Sequence, residues 1–459
     1  MKEMEPMNRE EVKKREITGH VIAGIGQNLI FGLWSSYMLV FYTDVFGITA
    51  AAASIIMLIT RIWDGLNDPL MGYIADRTRT RWGRFRPYLL FMAVPIVLFL
   101  VLNFSSPDLA PTQKIIYAGI TYCLMSMAFT AVDVPYWTLP AAMSKDLNKR
   151  TTILSVSTLF TTVASVVVGV ITIPLVTAFG EGGSNMQRGY MLTALLVGIV
   201  GACFYLLGFT FIREHVEPQK QEKVSFPKAV RVIFRNKPLL LILAAMLVST
   251  MGMILKQNLM VYYAQYNLGN IQLVPVFTIL MLPGMVIGVA LSPILIKKFG
   301  QKTLFVASAI FSAAVNSTFF FTGYSNALLV CILYGLSMLP FGIIMIVLQS
   351  MITNTIEYAE YTFGQRSEGL ITSTRTLITK FGMALGAGLS GVFLTVSHYV
   401  PNTEQSAETL LIIHFAFTLV GALLALVGII PMLFNKLTEK RYAEIVAALE
   451  QRKSITQDC

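Results

Sequence analysis

Apolar residues run along this chain of 459 residues in long blocks separated by short polar stretches. Twelve blocks approach or exceed the roughly 20 helical residues that cross a bilayer's hydrocarbon core. Their approximate limits are 17–43, 47–74, 87–104, 115–142, 152–179, 189–212, 238–264, 272–296, 303–323, 326–353, 369–398 and 408–434. The pattern predicts an all-α integral membrane protein with twelve transmembrane helices. The hydrophilic stretch Arg213–Lys237 falls between the sixth and seventh blocks. It gives an expected organisation of 1–212, a first six-helix bundle; 213–237, a central loop ending in an interfacial amphipathic helix; 238–435, a second six-helix bundle; and 436–459, a tail. Each half carries a basic loop after its second block, D-R-T-R-T-R-W-G-R-F-R-P at 76–87 and K-K-F-G-Q-K-T at 297–303, which suggests parallel repeats around a central cavity.

The charges then orient the chain. Of its 35 Lys and Arg residues, 29 fall on one set of alternate loops and the two termini, whereas Lys114 and Arg188 alone fall on the other set. The positive-inside rule places both termini in the cytoplasm, in a plasma membrane. Hydrophobic residues make up 55% and charged residues 13% of the chain, a balance far from that of a soluble protein. A net charge of +10 invites a nucleic-acid reading, but the aromatic residues sit in apolar runs, and no nucleic-acid partner is expected. The first apolar run is too long for a cleavable signal's core. The four cysteines are scattered and suggest neither a disulfide framework nor a metal site.

Polar residues inside the blocks carry the chemistry. The run R-I-W-D-G-L-N-D-P-L places Asp64, Asn67 and Asp68 on one helical face. A charge at mid-bilayer costs about 2.5–3.5 kcal/mol on insertion scales, so such a cluster marks a pathway or binding site. Two carboxylates and an amide oxygen suit a hard cation or a proton. The competing reading is a packing network in which the aspartates pair with Arg61, one turn earlier. In the fourth block, Thr130, Asp133 and Trp137 again share a face. A carboxylate beside an indole suits a sugar, its hydroxyls on the acid and its C–H face on the ring. Thr130 adds a hydroxyl oxygen toward the cation. Lys256, Arg375 and Lys380 are further intramembrane cations, and with Arg61 they outnumber the deep acids Asp64, Asp68 and Asp133. That surplus suggests an acidic sugar, with Lys256 or Arg375 facing its carboxylate, unless Arg375 or Lys380 snorkels to the interface. At the cytoplasmic boundary, Glu357, Glu360, Arg366 and Glu368 mix both signs as a gate would, and Asp76 with Arg77 and the arginines that follow offers a second one. A solvated loop and an orientation signal are the plainer readings of these two stretches. The four histidines show no metal-ligand spacing, and neither a phosphate-binding loop nor a zinc-protease motif occurs. No enzymatic activity and no cofactor beyond a coupling ion is expected.

The motifs F-Y-T-D-V-F-G at 41–47, D-G-L-N-D-P at 64–69, D-R-T-R-T-R-W-G-R-F-R-P at 76–87, D-V-P-Y-W at 133–137 and E-Y-A-E-Y-T-F-G-Q-R-S-E-G at 357–369 together resemble the glycoside–pentoside–hexuronide cation symporters of the melibiose permease type, within the major facilitator superfamily. The resemblance implies sugar uptake driven by Na⁺, H⁺ or Li⁺ through alternating access of two six-helix bundles. It places the cation at Asp64, Asn67, Asp68 and Thr130 and sugar contacts at Asp133 and Trp137, and Lys380, expected among the substrate-binding residues, matches an intramembrane lysine of the eleventh helix. Two departures stand out. Asn28 replaces a sugar-binding aspartate of melibiose-type members, and Thr158 replaces an arginine, which argues against an α-galactoside. The expectation is a monomeric sugar or glycoside symporter in contact with membrane lipid, Na⁺ favoured over H⁺. A passive facilitator, or a carrier of lipid or another solute on the same fold, is the alternative.

Overall fold

The computed structural model describes residues 12–144, 146–215, 233–364 and 368–457. Their backbone is helical apart from turns and one isolated bridge between Thr80 and Gly83. The chain divides into two compact units, Met1–Gln221 and Glu222–Cys459.

Unit one contains α1 (Lys14–Val40), α2 (Ala50–Arg77), α3 (Arg86–Phe91), α4 (Ala93–Asn103), α5 (Pro111–Met143), α6 (Leu147–Phe179) and α7 (Met186–Phe211). Unit two contains α8 (Lys237–Tyr262), α9 (Leu273–Phe299), α10 (Gln301–Thr322), α11 (Ala327–Phe363), α12 (Glu368–Val396), α13 (Ala407–Phe415), α14 (Gly421–Val427), α15 (Ile429–Phe434) and α16 (Glu439–Gln457). Among the described residues, ten helical stretches are long and apolar enough to cross a membrane. Absent from those ten are α2, which carries Arg61, Asp64 and Asp68, and the short apolar α4. The block expected at 87–104 divides at Met92 into α3 and α4. Pro95 has no N–H to donate to the carbonyl four residues back, so the helix yields there.

Helix packing depends on small residues, because lipid offers no hydrophobic drive between helices. In unit one, α1 and α7 approach so closely that a Cβ on Gly26 would strike the Gly201 carbonyl, and one on Gly201 would strike the Ile30 side chain. Both units end their first long helix in a π turn, Phe41–Phe46 after α1 and Tyr263–Asn267 after α8. The first of these is the F-Y-T-D-V-F-G motif, closed by Gly47 at φ +78°.

A second correspondence concerns the basic loops. In unit one, the Glu214 carboxylate accepts the backbone N–H groups of Arg84, Phe85 and Arg86 at 2.9, 2.8 and 2.9 Å. Gly83, at φ +112°, brings the loop against that carboxylate where any side chain would collide with it. In unit two, the Glu439 carboxylate accepts the N–H of Gln301 beside Gly300, at φ +79°. Each loop is thus fastened to a glutamate that follows the last long helix of its own unit. The orphan amides of a helix start make a ready anion site, here filled by a side chain.

One expectation is corrected at a boundary. The block expected at 326–353 runs on as α11 to Phe363, ending at Gly364 in the left-handed region. Its 37 residues span about 55 Å at 1.5 Å each, longer than a hydrocarbon core of about 30 Å. Glu357 and Glu360 therefore belong to the last turns of a helix, beside the buried Ile356 and Ala359, and not to a loop. Asp76 and Glu368 lie in α2 and α12, with only their backbone described, and Arg366 lies outside the described residues. So does the amphipathic stretch expected within 216–232.

Candidate cation and sugar sites

Helices α2 and α5 meet through two matched pairs at the same helical interval. The Ser126 hydroxyl donates to Asp64 Oδ1, and one turn on the Thr130 hydroxyl donates to Asp68 Oδ1 at 3.2 Å. Asp64 is 3% exposed, and its Oδ2 accepts from Arg61 Nη1 at 3.2 Å. The Arg61 guanidinium also lies over the rings of Trp34, at 5.3 Å, and Phe31, at 5.9 Å. Buried Asn67 has an Nδ2 without a hydrogen-bond partner. Leaving a buried polar atom unmet costs about 1–3 kcal/mol, and the unmet atom here is an N–H donor, suited to an oxygen acceptor and not to a cation. The ion pair of the packing reading, Arg61 with Asp64, is present, and the groups named for the cation reading, Asp68, Asn67 and Thr130, lie beside it. Ser126 has no distinguishing signal as a lone residue, although it stands four residues before Thr130, the interval that separates Asp64 from Asp68.

One turn further along α5, Asp133 Oδ1 accepts from Trp137 Nε1 at 3.0 Å and from Gln27 Nε2 of α1. Gln27 is 2% exposed, whereas Trp137 is 43% exposed. A fixed carboxylate edged by an accessible indole is the combination expected of a sugar subsite. Asn28, next to Gln27 in sequence, donates to the Gly24 carbonyl at 3.1 Å and accepts from the Ser165 hydroxyl at 3.3 Å. Thr158 donates to the Leu154 carbonyl. Gln27 carries no distinguishing signal in the sequence, since a lone glutamine in an apolar run shows no partner until α1 and α5 are packed.

Unit two separates the intramembrane cations. Lys256 is 6% exposed and donates to Asn316 Oδ1 at 2.9 Å and Ser337 Oγ at 2.7 Å. The rings of Tyr334, Phe417 and Phe319 surround its ammonium at 5.3, 5.4 and 5.5 Å. A cavity of about 50 Å³ adjoins it, too small for a sugar. Arg375, on α12, has a buried Nε with no partner among the described residues, and Lys380 is half-buried on the same helix. Of the expected gate residues, Arg77 lies over the Tyr73 ring at 4.0 Å, and Glu357 and Glu360 are half-buried on α11.

Comparison with known proteins fits this arrangement. A family described as MFS/sugar transport protein matches residues 19–439. The chain belongs to that family. An uncharacterised symporter, YnaJ of Bacillus subtilis (strain 168), is 35% identical, the match covering 98% of each chain. The isoprimeverose transporter of Lactiplantibacillus pentosus is 29% identical over 93% of this chain and 89% of its own. A bacterial homologue of the lysosomal transporter Spinster, solved inward-facing and unoccupied, superposes with a TM-score of 0.69 at 10% identity, covering 95% of this chain and 99% of that one. That likeness shows the fold. The resemblance seen in the motifs is therefore sound: this family member is a multi-pass plasma-membrane sugar transporter of the symporter type and not an enzyme.

Replacing Ser126 with Ala removes one of Asp64's two partners while leaving Arg61. Its absence is expected to weaken cation affinity without loss of fold, read as a several-fold rise in the cation concentration that half-activates uptake.

Proposed function

We propose that this family member moves a sugar or glycoside with one monovalent cation, by alternating access, across twelve spans whose ends both lie in the cytoplasm. The two spans beyond the ten long apolar helices are α2 and the α3–α4 pair. One observation carries the reading: α5 bears on successive turns the hydroxyls that meet Asp64 and Asp68 and then the Asp133–Trp137 pair. A cation and a sugar held by one helix affect each other's affinity through its position. In this cycle the cation, Na⁺ in preference to H⁺ given the Asn67 amide, neutralises the acidic face. Sugar binding at Asp133, Trp137 and Asn28 then becomes favourable, and the loaded protein closes on one side and opens on the other.

An acidic sugar is the second reading, and Arg375 favours it. Among the described residues its Nε–H has no partner, whereas Lys256 is already held by Asn316 and Ser337. Uptake into energised right-side-out vesicles tests both readings, with neutral glycosides, pentosides and uronides under an imposed Na⁺ or H⁺ gradient. Accumulation of one class under one gradient is the expected result. For a uronide, Arg375→Gln should abolish uptake while Lys256→Met keeps it. Equilibration under every gradient would leave a passive facilitator, and the Asp64 face would be structural.

A further inference from the structure

The first turn of α1 and the residues that follow α7 enclose a cavity of about 240 Å³. Lys13, Arg15 and Arg213 line it, with the pair Glu16–His215. We infer that this cavity binds a phosphate-bearing group, and the inference does not depend on the proposed transport cycle.

The argument turns on which charges are already matched. Glu16 is 3% exposed, accepts the Lys13 backbone N–H at 3.0 Å, and meets His215 Nε2 at 3.0 and 3.1 Å through its two oxygens. Its carboxylate therefore fixes the imidazole and the helix start, and does not reach out to the other cations. Glu214, beside Arg213 in sequence, is directed at the amides of the basic loop. The Arg15 guanidinium lies 4.6 Å from the Phe211 ring centre, held by a ring face instead of a carboxylate. Lys13, Arg15 and Arg213 make no ion pair with any described residue. Three cations drawn from two chain segments around one concavity amount to more than a solvated face. Guanidinium groups meet phosphate oxygens in a forked geometry, and an ammonium adds a point charge. The volume accommodates a phosphate with part of whatever it esterifies.

Two sources share that chemistry, a phospholipid headgroup and a soluble phosphate compound. Position favours the headgroup. The apolar stretch of α1 begins at Ile17 and that of α7 ends at Phe211, so the cavity lies at the edge of the apolar layer. Each cation beside an anionic lipid surface is worth about fivefold in affinity.

The test uses the purified full-length chain in detergent with added phosphatidylglycerol or phosphatidylcholine. Retained lipid is counted by native mass spectrometry, and melting temperature is followed with each lipid and with inorganic phosphate. The wild type should retain phosphatidylglycerol selectively. The double variant Arg15→Gln, Arg213→Gln should lose that selectivity by roughly 25-fold, being two such cations. The single variant Lys13→Gln, at an exposed residue, guards against misfolding of the double variant and should lose about fivefold. Arg188→Gln, whose arginine pairs with Glu181 at the opposite end of α7, should change nothing. Stabilisation by inorganic phosphate that the double variant loses, without selectivity for the lipid, would assign the cavity to a soluble phosphate compound. Equal lipid retention and equal phosphate response in wild type and both cavity variants would overturn the inference.

Discussion

Replacing Asp68 with Asn should convert gradient-driven accumulation into mere equilibration of sugar across the membrane. Asn keeps the size of the side chain and can still accept the Thr130 hydroxyl that now donates to Asp68 Oδ1 at 3.2 Å. The packing of α2 against α5 is thereby preserved, and only the negative charge is lost. Coupling between two ligands is reciprocal: the factor by which cation raises sugar affinity equals the factor by which sugar raises cation affinity, typically 5- to 150-fold. Without the charge that factor should fall to about one. Sugar binding to the purified variant, measured with and without cation, checks this directly, and counterflow of preloaded sugar shows that the path itself survives. Continued uphill accumulation by the variant would remove Asp68 from the mechanism. Loss of counterflow as well would instead mark it as structural.

The second large effect is expected at the clasp between Glu214 and the basic loop. Glu214→Ala leaves three successive amides without their carboxylate. Hydrogen bonds to a charged group contribute about 1.5–3 kcal/mol each when buried. The site is half-buried, so a total of about 2–4 kcal/mol is a fairer figure. For a unit of this size that is a fall of roughly 5–15 °C in melting temperature. Gly83→Ala should be comparably harmful, since the new Cβ meets the carboxylate and the backbone is held at φ +112°. Gly182→Ala provides the comparison: it too sits at positive φ, +73°, but with open space around it, and should cost only about 1–2 kcal/mol. Thermal unfolding of the three variants in one detergent separates collision from backbone strain. A Glu214→Ala protein as stable as wild type would show the clasp to be incidental.

These two sites were legible in the sequence to different degrees. Asp64, Asp68, Thr130, Asp133 and Trp137 stood out because charge and hydroxyl groups are costly in a membrane helix, and their spacing named the shared face without further information. Ser126 and Gln27 did not stand out. A serine is an ordinary small residue at membrane helix contacts, and its pairing with Asp64 depends on the relative register of α2 and α5, which no single helix reveals. The cations show the limit most clearly. Lys256 and Arg375 look alike as charges in apolar runs, yet one is enclosed by Asn316, Ser337 and three rings while the other keeps an unmet N–H. That difference is made by neighbours on α10 and α11, far along the chain. Helix ends were least legible: hydropathy stops counting at the membrane surface, but α11 continues to Phe363 because its hydrogen-bonded backbone has no reason to stop before Gly364.

The paired π turns bear on ancestry. A π turn is what an α-helix becomes when one residue too many is accommodated without breaking the helix, and the surplus residue rotates everything beyond it by about 100°. Finding one after α1 and another after α8 puts the same surplus at the same place in both units. A surplus residue in a common half-length ancestor would account for this pair, whereas a further π turn in unit two, Ala416–Val420 between α13 and α14, has no counterpart among the described residues of unit one. The aromatic residues that open the two turns are Phe41 and Tyr263, and their surroundings differ: Phe41 packs against the rings of Phe104 and Tyr190, whereas the Tyr263 hydroxyl meets His414 Nδ1 at 2.9 Å.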